Sequence, residues 1–352
     1  MGSTGPRLDV DLDALLRNAR DYAGRVGVPL LPMVKADGYG LGAVPVARAL
    51  AALGPFGFGV ASLAEAVALR QGGIDRPIVA FQPMLPAAAA DFEGAGVRPV
   101  IGSLEALDAW VARSEAPFHV EIDAGMGRSG FRWHDADRIA ALIERLRSAA
   151  GLEGVFTHFS TAEDPAITAE EWDRFQRVVT VLPIRPRLIH AANSAAAQWN
   201  RYGGDLARPG IFLYGGRAGT LVPEPVATLR GVVHAVRPIR AGDPVSYGRT
   251  RLADRDGEVA TVGLGYADGV PRALGNTGQV SIHGRSYEIA GRVTMDMTMV
   301  VTAAGTVRVG DVATFFGREI DLDCQAERAG TISYELLTSV GPRVARHYGD
   351  EP

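Results

Sequence analysis

The stretch that decides the fold reads Leu30-Leu31-Pro32-Met33-Val34-Lys35-Ala36-Asp37-Gly38-Tyr39-Gly40-Leu41-Gly42. An apolar run ends in a single lysine, and a glycine-rich segment with one tyrosine follows. An apolar run bounded by turn residues is typical of a buried strand, so Lys35 is expected where a strand leaves the core. An amine in apolar surroundings loses proton affinity and can act as a nucleophile, as a Schiff-base lysine does. The alternative is a lysine that only extends its charge into solvent at a strand end.

Composition narrows the classes of protein that this chain can be. Its 352 residues are 47% hydrophobic, which allows a large core, and its net charge of −4 lacks the basic stripe of nucleic-acid binders. Its one cysteine, Cys324, offers no disulfide framework, and we expect no metal site. The first residues have neither a signal peptide nor a membrane-spanning pattern. We therefore expect a cytoplasmic protein that acts on a small molecule.

Eight apolar runs recur in the first part of the chain, and segments with helical character separate them. Ser62-Leu63-Ala64-Glu65 has the residues of a capping box, and Ser103 begins a second helical segment. Asp135–Arg147 and Thr168–Val181 carry apolar residues at three- and four-residue spacing, which predicts helices. This alternation predicts an α/β fold, a (β/α)8 TIM-type barrel. The expected strands are Leu30–Val34, Gly57–Val60, Pro77–Phe81, Arg98–Ile101, Phe118–Ile122, Leu152–Phe156, Arg187–His190 and Leu206–Phe212.

The pattern changes after Tyr214-Gly215-Gly216, where short β-rich runs alternate with turn residues. We predict a barrel domain over residues 1–220, with residues 1–10 packing against the second domain. A mostly β C-terminal domain follows over residues 221–352, with one helix at Ile332–Val340. The expected strands of this domain are Val226–Val236, Glu258–Leu264, Gln279–Ile282, Arg292–Val301 and Val312–Phe316.

Polar residues follow several of the expected barrel strands, at the ends where barrel enzymes carry out their chemistry. Besides Lys35, these are Arg128, His158 and Asn193-Ser194, and Arg208 belongs to the eighth expected strand itself. Each has an ordinary structural alternative: a surface arginine, a core histidine, helix caps, and an arginine paired with a carboxylate. Together they suggest a common site. A phosphate site at the last two loops, combined with a Schiff-base lysine, points to pyridoxal phosphate.

A series of motifs then gives the chain a family resemblance. It is similar to the bacterial alanine racemases, fold-type III pyridoxal-phosphate enzymes, from about Asp9 to Tyr348. The motifs, in order, are Val34-Lys35-Ala36-Asp37-Gly38-Tyr39-Gly40, Gly125-Met126-Gly127-Arg128-Ser129-Gly130, His190-Ala191-Ala192-Asn193-Ser194-Ala195, Arg208-Pro209-Gly210-Ile211, Ser246-Tyr247-Gly248, Gly265-Tyr266-Ala267-Asp268-Gly269 and Gly291-Arg292-Val293-Thr294-Met295-Asp296.

The resemblance implies a two-base mechanism. Lys35 would bind the cofactor covalently and act as one base, and Tyr247, supplied by the second subunit of a homodimer, would act as the other. Arg208 would face the pyridine nitrogen, and His158 would orient Arg208 and Tyr247. Because arginine gives up no proton, the nitrogen would stay largely unprotonated, which favours racemisation over transamination.

The resemblance also implies contacts to phosphate and substrate. Arg128 and the partner's Met295 backbone would hold the substrate carboxylate, and Tyr266 would narrow the entrance. The remaining cofactor contacts that it implies are Tyr39, Asn193, Ser194, Gly210, Ile211 and Tyr334.

One residue departs from the family pattern. Many members carry a carbamylated lysine seven residues before the arginine of the Gly-Met-Gly-Arg motif, and here that position is Glu121. We expect Glu121, on the fifth strand, to replace the carbamate and to orient Arg128, directly or through a water. The alternative is a glutamate that is solvated or paired elsewhere.

The expected function is the interconversion of L- and D-alanine, which provides D-alanine for peptidoglycan. Three alternatives stay open. They are a serine or broad-specificity racemase of the same fold, a fold-type III decarboxylase or aldolase, and a non-catalytic pyridoxal-phosphate binder. A tyrosine at position 247, between small residues in a turn that would lie opposite Lys35, and a full second domain favour the racemase.

Overall fold

The computed structural model of the protein describes residues 5–349. Its helices are α1 (Leu12–Val26), α2 (Lys35–Tyr39), α3 (Ala43–Ala51), α4 (Leu63–Gln71), α5 (Ala89–Gly94), α6 (Leu104–Val111), α7 (Ala136–Leu146), α8 (Pro165–Val179), α9 (Leu322–Arg328) and α10 (Ser333–Thr338). Its strands are β1 (Arg7–Val10), β2 (Phe58–Val60), β3 (Ile78–Pro83), β4 (Arg98–Ile101), β5 (Phe118–Asp123), β6 (Phe131–Arg132), β7 (Leu152–Phe156), β8 (Leu188–His190), β9 (Ala227–Ile239), β10 (Pro244–Val245), β11 (Arg251–Leu252), β12 (Gly257–Val262), β13 (Gln279–Ile282), β14 (Arg285–Glu288), β15 (Thr298–Thr302), β16 (Val312–Phe316) and β17 (Ala345–Tyr348).

A parallel sheet occupies the first part of the chain, in the order β2-β3-β4-β5-β7-β8 with β6 beside β5. The segments expected as the first and eighth strands do not form continuous strands. They make single parallel bridges, Leu30 with Ala207 and Met33 with Gly59. The expectation of eight regular strands is therefore wrong at these two places. Pro29, Pro32 and Pro209 lie in or next to these segments, and because proline has no N–H group it interrupts a regular ladder.

The helices between these strands begin at polar caps. In the capping box of α4, Ser62 Oγ accepts from Glu65 N and the Glu65 carboxylate accepts from the Ser62 backbone, as the sequence predicts. Ser103 caps α6 and Asp135 caps α7 through their side chains. Helix α8 begins at Pro165, earlier than expected, because Asp164 caps it and proline suits the first helical turn.

The second sheet is mostly antiparallel and runs β14-β13-β16-β9-β1-β17, with β12 and β15 joined to β9. Strand β1 pairs parallel with β17 and antiparallel with β9. The first and last strands among residues 5–349 therefore lie side by side in this sheet. The predicted strand Arg292–Val301 begins only at Thr298. The reason is a turn in which Thr294 N donates to Met297 O at 3.0 Å. Helix α9 was not expected.

One large apolar core extends through both sheets and the helices that cover them. A smaller cluster fills the interior of the parallel sheet and is formed by Leu31, Val79, Val100, Phe156, Leu188 and Leu206. These side chains come from several strands, which is how the interior of a barrel-type sheet is filled. The packed interior leaves the carboxyl ends of the strands as the place where polar side chains gather. No helix among residues 5–349 is both long and apolar enough to cross a membrane.

Candidate active site

Lys35 opens a turn with an uncommon backbone conformation. Ala36, Asp37, Gly38 and Tyr39 have φ values of 52°, 51°, 63° and 55°, so the turn is left-handed. A left-handed helical conformation costs about 1–2 kcal/mol for each residue with a Cβ atom. The sequence predicts a turn here but not its handedness. Such a turn persists only where its surroundings hold it.

Two carboxylates hold this turn. Glu65 accepts from Ala36 N at 2.8 Å, and its other oxygen accepts from Ala61 N at 2.6 Å. The Asp37 side chain accepts from Ala43 N at 2.8 Å. Glu65, which also closes the capping box of α4, therefore ties the residue after Lys35 to that helix.

Lys35 is the only lysine in the chain, and the other basic residues among the 36 are arginines. Its side chain is half-buried. Burial lowers its pKa, and the positive charges of Arg128 and Arg208 lower it further, against an opposing contribution from Glu65. A larger neutral fraction makes the amine a better nucleophile. A cavity of about 290 Å³ adjoins it, lined by Lys35, Ala36, Tyr39, Ile332, Tyr334, Glu335 and Thr338.

Arg208 is 3% exposed and donates to several acceptors. Its Nη1 lies 2.6 Å from His190 Nδ1, and its Nη2 donates to the carbonyls of Thr157 at 2.8 Å and Ala191 at 3.1 Å. Its guanidinium carbon lies 5.0 Å from the ring centroid of Phe156. No ion pair joins it to a carboxylate within residues 5–349, which is contrary to the alternative of a simple salt bridge. Burial lowers the pKa of Arg208 to about 10, and it stays a cation at neutral pH.

His158 lies at the edge of the same group, with Nδ1 3.5 Å from Arg208 Nη2. Burial lowers the pKa of His158 to about 3, and the charges of Arg208, Arg128 and Lys35 act in the same direction. It is therefore a neutral hydrogen-bonding group at physiological pH.

A cluster of donors suited to an anion lies beside Tyr39. Ser194 Oγ accepts from Gly210 N at 2.8 Å and from Phe212 N at 3.4 Å. A Cβ atom on Gly210 would meet the Tyr39 hydroxyl, so this position requires glycine. The Tyr39 ring stacks on Tyr214 with centroids 4.3 Å apart. We call Tyr39, Ser194 and the N–H groups of Gly210 and Phe212 the anion cradle.

Residues near the cradle differ in part from expectation. The side chain that caps the following short 3-10 helix is that of Asn193 and not that of Ser194. Asn193 Oδ1 accepts a hydrogen bond from Ala196 N at 3.1 Å. The cap alternative therefore holds for Asn193, and Ser194 is directed to the next loop. Ile211 begins a second 3-10 helix, Ile211–Tyr214, and its side chain is buried in the core. Tyr334 lies across the cavity with its ring 6.0 Å from that of Tyr39.

Arg128 and Glu121 lie next to each other at the end of β5. Arg128 Nη2 is 3.9 Å from Glu121 Oε1, and Ser129 Oγ donates to Glu121 Oε2 at 2.7 Å. The Arg128 side chain is half exposed, whereas Glu121 is buried. Burial raises the pKa of Glu121, and the contacts with Ser129, Arg128 and Arg208 oppose that rise. The contact is therefore a loose ion pair beside a short hydrogen bond.

Besides Tyr334, three predicted site residues lie in the second domain and are exposed. The exposed fractions are 72% for Tyr247, 53% for Met295 and 44% for Tyr266. Their loops adjoin, since Tyr266 N donates to Thr294 O and Ala267 N donates to Met295 O, both at 3.0 Å. Within residues 5–349, no hydrogen bond or ion pair joins any of the three to Lys35. We call Tyr247, Tyr266 and Met295 the second-domain set.

Comparison with known proteins decides the family. Residues 10–218 match the alanine racemase N-terminal domain model, and residues 226–348 match the alanine racemase C-terminal domain model. The chain belongs to the alanine racemase family. It is 35% identical to the alanine racemase of Halothermothrix orenii over 97% of this chain and 96% of that protein. It is 38% identical to that of Thermobifida fusca over 96% of each.

Solved structures of the family give the same result. The biosynthetic alanine racemase of Pseudomonas aeruginosa is similar with a TM-score of 0.90 and 31% identity, over 99% of this chain and 100% of that one. The alanine racemase of Bartonella henselae, described with covalently bound pyridoxal phosphate, has a TM-score of 0.92 and 28% identity. That match covers 99% of this chain and 100% of the other.

Several contacts that position the family motifs in this chain escaped the sequence analysis. Glu65 was noted only as a helix cap, although it also holds the turn of Lys35. Ser129 was passed over although it lies next to Arg128 in the motif. His119 and Glu153 lie inside apolar strand runs, and a polar residue within such a run was a usable signal, because buried polar groups need partners.

Proposed function

We propose that this protein interconverts L-alanine and D-alanine with pyridoxal phosphate as its cofactor. The observation that carries the proposal is the arrangement of three groups at the carboxyl ends of the parallel strands. They are a lysine with a lowered pKa, a buried arginine that can only donate hydrogen bonds, and the anion cradle. The family to which the chain belongs supports the same reaction.

The side chains fit the parts of pyridoxal phosphate. The anion cradle would hold the phosphate, because two backbone N–H groups and two hydroxyls lie together there, and Gly210 lets the Tyr39 hydroxyl approach the backbone closely. Arg208 would face the ring nitrogen, and the Lys35 amine would bond to the aldehyde carbon. Once bound, the cofactor draws electron density from the α-carbon of an attached amino acid and makes its proton acidic.

The chain's own residues would move that proton. Lys35 would take or return it on one face of the α-carbon, and Tyr247 of a second subunit would act on the other, so the stereocentre inverts. Arg208 donates only and supplies no acidic proton to the ring nitrogen. Facing Arg208, the cofactor would be a weaker electron sink, so return of a proton to the α-carbon would be favoured, which would suit racemisation.

The substrate carboxylate would be held by Arg128, with Glu121 on the other side of the guanidinium and with the backbone of Met295 from the partner. Glu121 lies close enough to act on Arg128 without a bridging group, although the 3.9 Å separation makes the contact loose. Tyr266 would narrow the entrance.

A homodimer with shared sites belongs to the same proposal. Its support is the exposure of the second-domain set, which leaves each chain's Lys35 without its partner base. A barrel-type arrangement, in which the irregular first and eighth segments lie side by side, and a domain division near residue 220 also belong to it. The support for them is the bonds of Leu31 and Met33 to the eighth segment and the limits of the two family models. The proposal also includes a cytoplasmic location and a role in supplying D-alanine for peptidoglycan.

The test is a panel of L-amino acids incubated with the purified holoprotein and separated by chiral chromatography. We expect L-alanine to approach an equal mixture of enantiomers, with L-serine and larger amino acids slower. Lys35→Ala is the control for contaminating racemases. A faster conversion of L-serine would identify a serine racemase, and release of an amine or aldehyde without inversion would overturn the proposal in favour of a decarboxylase or aldolase.

A further inference from the structure

A chain of buried polar groups crosses the interior of the parallel sheet and ends at Arg208. His190, the last residue of β8, lies with Nδ1 2.6 Å from Arg208 Nη1. Its Nε2 is 2.9 Å from Nδ1 of His119, the second residue of β5. His119 Nε2 is in turn 3.2 Å from Oε2 of Glu153, the second residue of β7. We call Glu153, His119 and His190 the relay, which leads from the amino ends of the strands to their carboxyl ends.

At the end away from Arg208, the relay is hydrogen-bonded to Arg98, and the strands leave room for its side chains. Arg98 donates to both oxygens of Glu153, through Nε at 2.6 Å and Nη2 at 3.3 Å. Both histidines are fully buried. Gly154, beside Glu153 in β7, leaves room for the imidazole, because a Cβ atom there would meet the His119 ring. Three different strands thus contribute to one hydrogen-bonded line.

The two ends of the relay allow one direction of hydrogen bonding. Arginine has only donors, so His190 Nδ1 must accept and its Nε2 must carry the proton. His119 Nδ1 then accepts from His190, and His119 Nε2 donates to the carboxylate, which only accepts. Burial lowers the pKa of both histidines and keeps them neutral. Burial raises the pKa of Glu153, but hydrogen bonds from His119 and Arg98 outweigh it and lower the value to about 2.

The relay also connects the buried positive charge of Arg208 to a negative charge. A buried cation is costly without a compensating anion, and Arg208 has no carboxylate in hydrogen-bond contact within residues 5–349. Glu153 is the carboxylate to which hydrogen bonds connect it. Without His190 as its acceptor, Arg208 Nη1 would lose its partner, and only the bonds of Nη2 to the carbonyls of Thr157 and Ala191 would hold the guanidinium.

We propose that Glu153, His119 and His190 act as positioning residues that fix Arg208 as a donor and set the electrostatic potential at the ring-nitrogen end of the site. This rests on the proposed function only in placing the cofactor's ring nitrogen at Arg208. Glu153 is remote from the reacting atoms, so it acts on Arg208 through the hydrogen-bonded imidazoles and on the site through its charge.

The first test is nitrogen-15 NMR of the holoenzyme labelled at histidine, with assignment by single histidine substitutions. We expect both His119 and His190 to be neutral Nε2–H tautomers between about pH 6 and pH 9. An Nδ1–H tautomer or an imidazolium at either position would overturn the relay. This readout does not depend on catalysis, so a failed relay and a failed racemase assignment are distinguishable.

The second test replaces Glu153 by glutamine, which keeps the shape and removes the charge. Loss of the anion makes the potential at the ring more positive and disfavours protonated forms there. We expect the midpoint pH of the cofactor's visible absorption to fall by roughly half to one unit, the order for the loss of one charge outside direct contact at an effective dielectric constant near 20. We also expect kcat to fall several-fold while KM changes less, because Arg128 is untouched.

The control is Gln325→Met, in which a buried amide in the second domain loses its bonds to Gln279 O and Phe315 O. It lowers stability without touching the relay, and its midpoint should equal that of the wild type. Equal midpoints for the wild type and Glu153→Gln would overturn the proposal. If Glu153→Gln does not fold, Gly154→Ala replaces it, because the added methyl group displaces the His119 ring, and an unchanged midpoint there is equally contrary to the relay.

Discussion

The two halves of the site differ in how much of their surroundings one chain supplies. Lys35, Arg208 and the anion cradle are enclosed by the parallel sheet and have hydrogen-bond partners on several elements. The second-domain set is exposed on adjoining loops. Ser246 shows that these loops are nevertheless shaped, since it has a φ of 63° and its hydroxyl donates to Arg292 O at 2.6 Å.

Under the proposed function, this difference means that one chain would supply the cofactor contacts itself and would need a partner for the second base. A preformed loop that presents a tyrosine and a methionine to solvent is typical of a surface made for a partner. In a symmetric dimer the second-domain set of each chain could complete the site of the other. The predictions that follow test each half and then their junction.

The largest effect is expected for Lys35→Ala. It removes the only amine of a side chain, so racemase activity should fall below detection and borohydride should fix no cofactor to the protein. Peptide mass spectrometry after reduction is the measurement. In the wild type the label must lie on the peptide that contains Lys35, since the chain offers no other lysine. Lys35→Arg keeps the positive charge and should be equally inactive; activity in either variant would refute the assignment.

Tyr247→Phe should affect one direction of the reaction far more than the other. If Tyr247 is the base on one face, its loss should slow α-proton exchange from one enantiomer by about 10²–10⁴-fold and leave measurable exchange from the other. Deuterium uptake from heavy water, measured separately for L- and D-alanine, checks this. Tyr287→Phe in β14 of the same domain is the control and should leave both rates unchanged. Equal slowing of both enantiomers would contradict the two-base scheme.

Mixing the two inactive proteins should restore activity if the halves meet across subunits. A mixed dimer of Lys35→Ala and Tyr247→Phe chains has one intact site, so random exchange should yield about a quarter of the wild-type activity. A mixture of Lys35→Ala with Lys35→Arg is the control and should remain inactive. Subunit exchange is verified with chains of different mass. Verified exchange without recovery would mean that each chain completes its own site.

The enclosed half was the more predictable from sequence. Lys35 lies at the end of the first apolar run and Arg208 lies within the eighth, and the alternation of strands and helices brings these two runs together. The left-handed turn after Lys35 was not predictable, because Ala36 and Tyr39 have no intrinsic preference for positive φ and a remote residue, Glu65, holds the turn.

Other features depended on tertiary context that residue patterns do not contain. Exposure of Tyr247 follows from the packing of the second domain. The late start of β15 follows from the turn at Thr294–Met297. The relay was missed because His119 lies between phenylalanine and valine in a run that otherwise indicates a buried strand.

The smallest effect is expected for a substitution of Glu121. This residue lies beside Arg128, which would bind the substrate carboxylate together with the second-domain set of the partner. Glu121→Gln keeps the shape and removes the charge that steadies Arg128. We expect KM for alanine to rise with little change in kcat, by a factor that corresponds to about 1–3 kcal/mol for a charge-assisted contact. Bicarbonate should not alter wild-type activity, because a glutamate, unlike a lysine carbamate, is charged without carbon dioxide.

The pH dependence separates a charge effect from a structural one. Burial and the charge of Asp123 raise the pKa of Glu121, the groups Ser129, Arg128 and Arg208 lower it, and the net shift is upward. As pH falls, Glu121 therefore loses its charge at a higher pH than an ordinary glutamate, and the KM of the wild type should rise over that range. Glu121→Gln has no charge to lose and should lack this limb of the profile. Ser129→Ala removes a hydrogen bond that favours the carboxylate and should move the limb to higher pH. Identical profiles for the wild type and both variants would show that Arg128 is held by other groups, and that the half-exposed arginine needs no anion at position 121.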